Sequence, residues 1–227
     1  MMPEGPEVRT VVDQLQGGVG MQFQGVKFLS GRYVRHGPPN GYDEFSKTLG
    51  DNSDVVKEWN TKGKFIYMIL EDDNEKPNDD FQRSIWITLG MTGRFVAESM
   101  NSLKSTEPRW SIQLARQEKA SQIFYHDTRG FGTLKFCLSA KALQDKLKTL
   151  GPDILHASTT TEDMFVALVA AQKPELNVCK FLMNQKVCYS RHQQKPGLRI
   201  HSTSLSHLLR KLVALATTSW QKACIVP

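Results

Sequence analysis

The stretch MPEGPE, residues 2–7, decides how the rest of this sequence is interpreted. Pro6 suits the first turn of a helix, where its missing N–H is not needed, and an acidic residue such as Glu7 complements the positive end of the helix dipole. Apolar residues recur at one-face spacing from Val8 to Leu15, and Gly17 ends the run. The chain is therefore predicted to open with a short helix.

The composition is that of a folded globular protein. Of its 227 residues, 40% are hydrophobic and 23% are charged, which excludes collagen, coiled coil and wholesale disorder. No apolar run reaches the roughly 20 residues of a membrane span, and no charged-then-apolar leader opens the chain. We expect an intracellular protein that does not bind membranes. The four cysteines contain no C-x-x-C pair, so neither a disulfide scaffold nor a zinc site is predicted.

The pattern changes along the chain from strands to helices. Short segments rich in β-formers alternate with turn residues from Phe23 to about Leu138. Helical spacing begins at Ala140 and returns in three runs after residue 161. An all-β first part and a helical second part indicate two domains: a β domain at 2–138, a linker at 139–160 and a helical domain at 161–227. The predicted strands are Phe65–Leu70, Ser84–Leu89, Arg94–Ala97, Trp110–Ala115, Gln122–His126 and Thr133–Leu138.

The charge is distributed unevenly between the two parts. After Glu175 there are eight lysines and arginines and no acidic residue, although the whole chain carries a net charge of only +6. This asymmetry favours a polyanionic partner for the second part, with nucleic acid as the leading candidate. A solvated basic face without a partner is the alternative on charge alone.

Residues 2–7 resemble the opening of the formamidopyrimidine-DNA glycosylase/endonuclease VIII (Fpg/Nei) family of base-excision repair enzymes. In that family the initiator methionine is removed and the exposed proline is the nucleophile. A free α-amine has a pKa near ~8, against ~10.4 for lysine, so much of it is neutral at physiological pH. The resemblance implies that Pro3 attacks the sugar C1′, expels the base and forms a Schiff base that permits β-elimination. If translation began at Met1, removal of that residue would leave Met2 attached to the Pro3 nitrogen. We therefore expect Met2 to be the true start.

The same resemblance assigns three more residues to the chemistry. Glu4 would move protons at the sugar and the base, as a general acid/base does. Glu7 matches a further family position, and Lys64, within KGKF at 62–65, would contact the phosphate beside the lesion. The alternatives are a helix-dipole partner for Glu7 and an exposed lysine opening a strand for Lys64.

Two loops resemble the family's space-filling loops. LGMTG at 89–93 is similar to L-G-M-[ST]-G, whose methionine, here Met91, fills the gap left by the extruded base. DTRGFG at 127–132 is similar to D-P-R-R-F-G, which implies that Arg129 addresses the orphaned partner base and that Phe131 stacks into the duplex. Core packing of Met91 and hairpin packing of Phe131 are the alternatives.

The resemblance extends from residue 2 to about residue 187. It implies an α+β multidomain protein, with a two-sheet antiparallel β-sandwich and its first helix followed by a mostly helical domain. After Val187 the family has a G-[IV]-G-N segment whose asparagine holds a phosphate, but this chain has Cys188–Gly197 instead. No residue matches the family's C-terminal finger. We therefore predict an incomplete helix–two-turn–helix, no finger and no metal site.

These features predict a bifunctional DNA glycosylase/AP lyase that excises oxidised bases, with pyrimidines favoured, from damaged double-stranded DNA. It is expected to need no cofactor, to be a monomer and to work where DNA is, in the nucleus if the source is eukaryotic. The alternatives are a catalytically impaired DNA-binding remnant and a truncated isoform that folds poorly.

Overall fold

A computed structural model describes residues 3–49, 54–72, 80–97, 107–116 and 119–151. The predicted helical domain at 161–227 lies outside these residues, as does most of the predicted linker. The fold and the site below are therefore those of the predicted β domain and the helix that follows it.

The described residues form a β-rich domain with a helix at each end. The opening helix, the antiparallel β region and the helix at Ala140 are confirmed, while the elements at 22–28, 32–35, 42–47 and 54–62 had no individual prediction. The elements are α1 (Gly5–Leu15), a 3₁₀ turn (Gln16–Gly18), β1 (Gln22–Phe28), α2 (Arg32–Arg35), α3 (Tyr42–Lys47), β2 (Asp54–Lys62), β3 (Phe65–Asp72), β4 (Phe81–Thr88), β5 (Arg94–Ala97), β6 (Trp110–Arg116), β7 (Lys119–His126), β8 (Thr133–Ser139) and α4 (Ala140–Lys148).

The eight strands pair in one antiparallel sheet with the order β5-β7-β6-β1-β2-β3-β4-β8. β1 and β2 share a single register pair, Gln22 with Val55, whereas β2 pairs with β3 along its length. Trp59 of β2 nevertheless contacts Phe95 of β5, with ring centroids 6.3 Å apart, although three strands separate them in the sheet. The sheet therefore bends at β1–β2 into two facing four-stranded halves. The two separate sheets that the resemblance implied are halves of one hydrogen-bonded sheet in this chain.

The core lies between these halves and extends under α1. Val8, Val12 and Leu15 of α1 are buried in the same apolar cluster as Trp59. Burial of such aliphatic side chains contributes about 1.5–3 kcal/mol each, so the apolar stripe predicted from the sequence fixes α1 on the sheet. The position of α1 in turn fixes the residues that precede it.

A second cluster holds α4 against the opposite face of β3 and β4. Leu143 of α4 packs with Phe65 and Trp86, and Ile66 of β3 points into the main core instead, as the alternation of side chains along a strand requires. Among the described helices, none has the length and apolar character to cross a membrane.

Candidate active site

One end of the sheet gathers the loops that carry the family-like motifs. β3 and β4 pair with Ile66 opposite Ile87, and β4 and β8 pair with Thr88 opposite Thr133. The β2–β3 turn, the loop after β4 and the loop before β8 therefore emerge from the same end of three adjacent strands. Neighbouring strands lie about 4.8 Å apart, so the three loops lie side by side.

The start of α1 holds Pro3 and Glu4 in a defined backbone geometry. Pro3 is partly buried, and Glu4, which follows it, is the N-cap residue of the helix. The Glu4 backbone N–H donates to Oε2 of Glu7 at 3.1 Å. This is one arm of a capping box, an arrangement that satisfies an orphan donor at the helix start. Glu7 thereby fixes the backbone that bears Glu4.

The Glu4 side chain is paired with the lysine of the β2–β3 turn. Lys64 Nζ lies 2.7 Å from Glu4 Oε2, and the two side chains are 22% and 23% exposed. The turn is shaped by Gly63, which has φ of 60°, and by the Thr61 hydroxyl, which donates to the Gly63 and Phe65 carbonyl oxygens. We refer to Pro3, Glu4, Glu7 and Lys64 as the N-terminal corner. It places a carboxylate and an ammonium group next to the residue that would bear a free α-amine.

The other two loops are joined to each other through one buried carboxylate. Asp127 accepts a hydrogen bond from the Thr92 hydroxyl through Oδ1 and another from the Gly132 backbone N–H through Oδ2, the latter at 2.7 Å. The Arg129 backbone N–H donates to the same Thr92 hydroxyl at 3.1 Å. Asp127 is only 2% exposed, so water does not compete for these bonds. We call residues 89–93 and 127–132 together the paired loops.

Glycines allow the paired loops to approach so closely. A Cβ atom at Gly90, whose φ is 64°, would collide with the backbone of Gly132, and one at Gly93 or Gly132 would overlap the Tyr125 hydroxyl. That hydroxyl donates to the Leu89 carbonyl oxygen at 3.1 Å. Burial, with a further contribution from the nearby Asp127 charge, raises the pKa of Tyr125. The contact between the two loops thus requires Gly90, and the Tyr125 hydroxyl requires Gly93 and Gly132, whereas Gly130 meets no neighbour.

The tips of the paired loops carry the three predicted space-filling residues. Met91 is partly buried and Arg129 is exposed, with Arg129 Nη1 3.4 Å from Met91 Sδ. Phe131 is 60% exposed, a high value for a phenylalanine. The predicted site residues therefore fall into two groups at one end of the sheet: the N-terminal corner and the tips of the paired loops.

Two arginines that the sequence analysis did not single out hold the paired loops from outside. Arg32 of α2 donates through Nη2 to the Gly132 carbonyl oxygen. Arg109 donates through Nε to the Asp127 carbonyl oxygen at 2.8 Å and through Nη2 to that of Thr128 at 3.4 Å. A signal for α2 was present in the sequence, because residues 26–41 contain basic residues and no acidic one. Within the described part of the chain, no three His, Cys, Asp or Glu side chains are grouped so as to hold a metal ion.

The fold and this end of the sheet define a β domain whose N-terminal helix carries a proline and a glutamate to a lysine-bearing turn. The family model for the formamidopyrimidine-DNA glycosylase N-terminal domain matches residues 2–134, more than half of the chain. The chain therefore belongs to the formamidopyrimidine-DNA glycosylase family. No curated protein sequence matches it.

Solved structures share this fold at low sequence identity. Fpg (MutM) from Lactococcus lactis, in complex with DNA containing N7-benzyl-Fapy-dG, is 18% identical and has a TM-score of 0.72, covering 96% of this chain and 79% of that one. The same enzyme with DNA containing an oxidised pyrimidine gives 18% identity and a TM-score of 0.73, with 96% and 80% coverage. Its complex with DNA containing an abasic site gives 17% identity and a TM-score of 0.72, with 96% and 80% coverage.

Proposed function

We propose that this protein is a bifunctional DNA glycosylase and AP lyase that uses the Pro3 nitrogen as its nucleophile. Membership in the family supports the reaction class. The observation that carries the proposal is the Glu4–Lys64 pair, with 2.7 Å between Oε2 and Nζ, directly beside Pro3. The nucleophile, a proton-transfer group and a phosphate-binding cation are thus adjacent.

The substrate proposed is damaged double-stranded DNA carrying an oxidised base, with pyrimidines favoured. The Lactococcus lactis enzyme, which shares the fold, has been seen with DNA containing an oxidised pyrimidine and with DNA containing an abasic site. The paired loops support the choice of a duplex substrate, because an enzyme that acts on a base within a duplex must extrude it and fill the gap. We propose that Met91, Arg129 and Phe131 do so, and that the protein acts as a monomer where DNA is found.

The chemistry can be written with every proton accounted for. The Pro3 nitrogen attacks C1′ of the damaged nucleotide, the bond from C1′ to the base breaks, and the base leaves with the bonding electrons and takes a proton from water. Glu4 accepts the proton that the nitrogen loses and returns it to the sugar O4′, so that the ring opens and an iminium ion links Pro3 to C1′.

The iminium ion then allows the strand to break. It withdraws electrons from C1′ and so acidifies the C2′ proton, which a base removes. The C3′–O bond breaks by β-elimination, and the phosphate leaves with the strand. Water hydrolyses the imine and restores Pro3. Lys64 would hold a phosphate beside the lesion through its ammonium group, which balances charge without taking part in bond making. Glu7 would act through Glu4, by fixing the backbone from which that side chain extends.

Reduction of the iminium ion tests this proposal. The chain is expressed from Met2, so that removal of one methionine exposes Pro3, and is incubated with borohydride and a duplex that contains one abasic site. We expect a covalent protein–DNA band with the parent chain and a much weaker one with Pro3→Gly, because the glycine variant keeps an α-amine but loses the secondary amine of proline. The matched control is Pro38→Gly, a change at an exposed proline far along the chain, which should leave the band intact. Strand cleavage by Pro3→Gly at the rate of the parent chain would refute the proposed nucleophile, and salt-dependent DNA binding without any adduct from the parent chain would favour the DNA-binding remnant.

A further inference from the structure

We propose that the turn at residues 29–37, together with Arg109, is a binding surface for the phosphates of the DNA strand opposite the lesion. This inference rests on the proposed function, because it extends the surface that the paired loops would present to a duplex. We call residues 29–37 the basic turn; it contains α2.

The basic turn is joined to the paired loops as one continuous surface. Arg32 donates to the Gly132 carbonyl oxygen, and Arg109 donates to the carbonyl oxygens of Asp127 and Thr128. The Arg109 side chain also lies against Gly31, where an added Cβ would come within 3.1 Å of it. Movement of the paired loops would therefore move the basic turn with them.

The composition of this surface fits a nucleic acid strand. Three large apolar side chains are exposed in the described part of the chain, and all three, Leu29, Val34 and Phe131, fall in the basic turn or the paired loops. They alternate with arginines: Arg32 and Arg35 are exposed in the turn. Arginine forks that bind phosphate, interleaved with apolar or aromatic side chains, are the usual means of holding a DNA backbone.

The charge of the surface is not neutralised from within. No acidic residue occurs between Val26 and Gly41, and Asp127, the one acid of the paired loops, is buried and receives its hydrogen bonds from Thr92 and Gly132. A polyanion is the partner that such a surface attracts.

The choice of strand follows from the order of residues along the surface. Arg129 and Phe131 are proposed to meet the orphaned base, which belongs to the strand opposite the lesion. Arg32 is bonded to the residue directly after Phe131, so the basic turn lies beside Phe131, and we assign to it the phosphates of the strand that Phe131 would meet. Contacts to phosphate fix the position of a protein on a duplex without reading its sequence, so the basic turn would help to set the register of the paired loops.

Arg35 is the residue that tests the proposal. Its guanidinium is exposed, and its hydrogen bond, from Nε to the Gly31 carbonyl oxygen at 3.4 Å, stays within the turn, so Arg35→Ala leaves the paired loops in place. The matched control is Arg116→Ala. Arg116 is also exposed and ends β6, seven residues beyond Arg109, which corresponds to about 20 Å along a strand. Thermal unfolding of both variants checks that they fold as the parent chain does.

The measurement is the dissociation constant as a function of salt, for DNA containing a tetrahydrofuran abasic analogue in duplex and in single-stranded form. For Arg35→Ala we expect binding to the duplex to weaken about tenfold, the usual result of losing one charge-assisted contact, and the logarithmic salt slope to fall by about 1. Binding to the single strand, and all binding by Arg116→Ala, should be unchanged. Neutral methylphosphonates in the opposite strand should abolish the difference between the parent chain and Arg35→Ala.

Three results would overturn the inference: equal binding of the duplex by Arg35→Ala and the parent chain, an equal loss on single and double strands, or a difference abolished by methylphosphonates only in the lesion strand. Borohydride trapping of the same protein preparations on a duplex with a true abasic site separates this inference from the proposed function. If the parent chain forms an adduct and any of these three results is found, the inference is contradicted and the proposed function is not. Normal salt-dependent binding without an adduct contradicts the proposed function instead.

Discussion

The N-terminal corner and the paired loops lie at the same end of the sheet but are built in opposite ways. In the corner, one ion pair of 2.7 Å joins Glu4 to Lys64, and about a fifth of each side chain remains exposed. In the paired loops, Asp127 is buried, hydrogen bonds cross from one loop to the other, and glycines bring the two backbones together. A group that transfers protons must stay open to its substrate, whereas loops pushed into a duplex must resist deformation. The difference in construction matches the two tasks that we propose for these regions.

The largest effect is expected in the corner, where a small change should remove activity without changing stability. Glu4→Gln keeps the size of the side chain but removes its ability to accept a proton. We expect base excision to fall by about 10²- to 10⁴-fold, the usual contribution of a general acid/base, with an unchanged unfolding temperature. Single-turnover excision from a duplex measures the rate. The control is Glu44→Gln at an exposed position of α3, which should leave the rate unchanged; a loss of less than tenfold for Glu4→Gln would remove Glu4 from the chemistry.

The second effect is expected in the paired loops, where a substitution should lower the free energy of unfolding. This is the reverse of the corner, where activity should be lost and stability kept. At Gly132 an added Cβ would overlap the Tyr125 hydroxyl, so Gly132→Ala should lower the free energy of unfolding by about 2–3 kcal/mol. Gly130→Ala meets no neighbour but has φ of 69°, and should cost about 1–2 kcal/mol. Gly17→Ala, with open space and no positive φ, should change stability by about 0.5 kcal/mol or less. Denaturant unfolding measures all three, and equal values for Gly132→Ala and Gly17→Ala would contradict the described packing.

A third change asks whether the link between the two loops serves base extrusion. Asp127→Asn keeps the shape of the side chain but loses the charge that accepts from Thr92 and Gly132. We expect excision of a base from a duplex to fall about tenfold, and cleavage at an abasic site in single-stranded DNA, which needs no extrusion, to be unchanged. The control is Asp145→Asn on α4, where the side chain is exposed. An equal loss on both substrates would assign Asp127 a role in stability alone.

The smallest effect concerns pH and two tyrosines, one in each region. Tyr67 stacks on Phe65 beside the Lys64 turn. Burial, with the Glu58 charge as the second cause, raises the pKa of Tyr67 to about 12. Burial also raises the pKa of Tyr125. In the unfolded chain both ionise near pH 10. Above pH 10 the unfolded state therefore releases protons that the folded state retains, so stability falls as the pH rises from 10 to 12. Denaturant unfolding at a series of pH values should show a shallower fall for Tyr67→Phe; an unchanged slope would contradict the burial of Tyr67.

The sequence predicted the elements with regular patterns and missed those whose pattern is interrupted. β5 was predicted with its observed bounds, and α1 within about a residue. β2 had no individual prediction, because a bulge between Val56 and Glu58 breaks the alternation of its side chains. α2 has four residues, too few for a periodicity to show.

The residues of the candidate site could be selected from the sequence, but not the contacts between them. Each motif was recognised from its own residues. The arrangement of the motifs at one end of the sheet depends instead on the order of the strands. The bond from Thr92 to Asp127 joins positions 35 residues apart, and Arg32 reaches Gly132 across 100 residues. Such pairs follow from the order of the strands, including the pairing of β4 with β8, and from the bend of the sheet between β1 and β2, none of which a local pattern encodes.

The central claim is that the Pro3 nitrogen forms the covalent link to DNA, and one measurement addresses it directly. The borohydride-trapped adduct is digested with trypsin and nuclease, and the peptide that carries the sugar remnant is identified by mass spectrometry. The account predicts the remnant on the N-terminal nitrogen of the peptide Pro3–Arg9, which is distinct from every lysine-containing peptide. A remnant on Lys64 would show that the neighbouring amine is the nucleophile and would contradict the account.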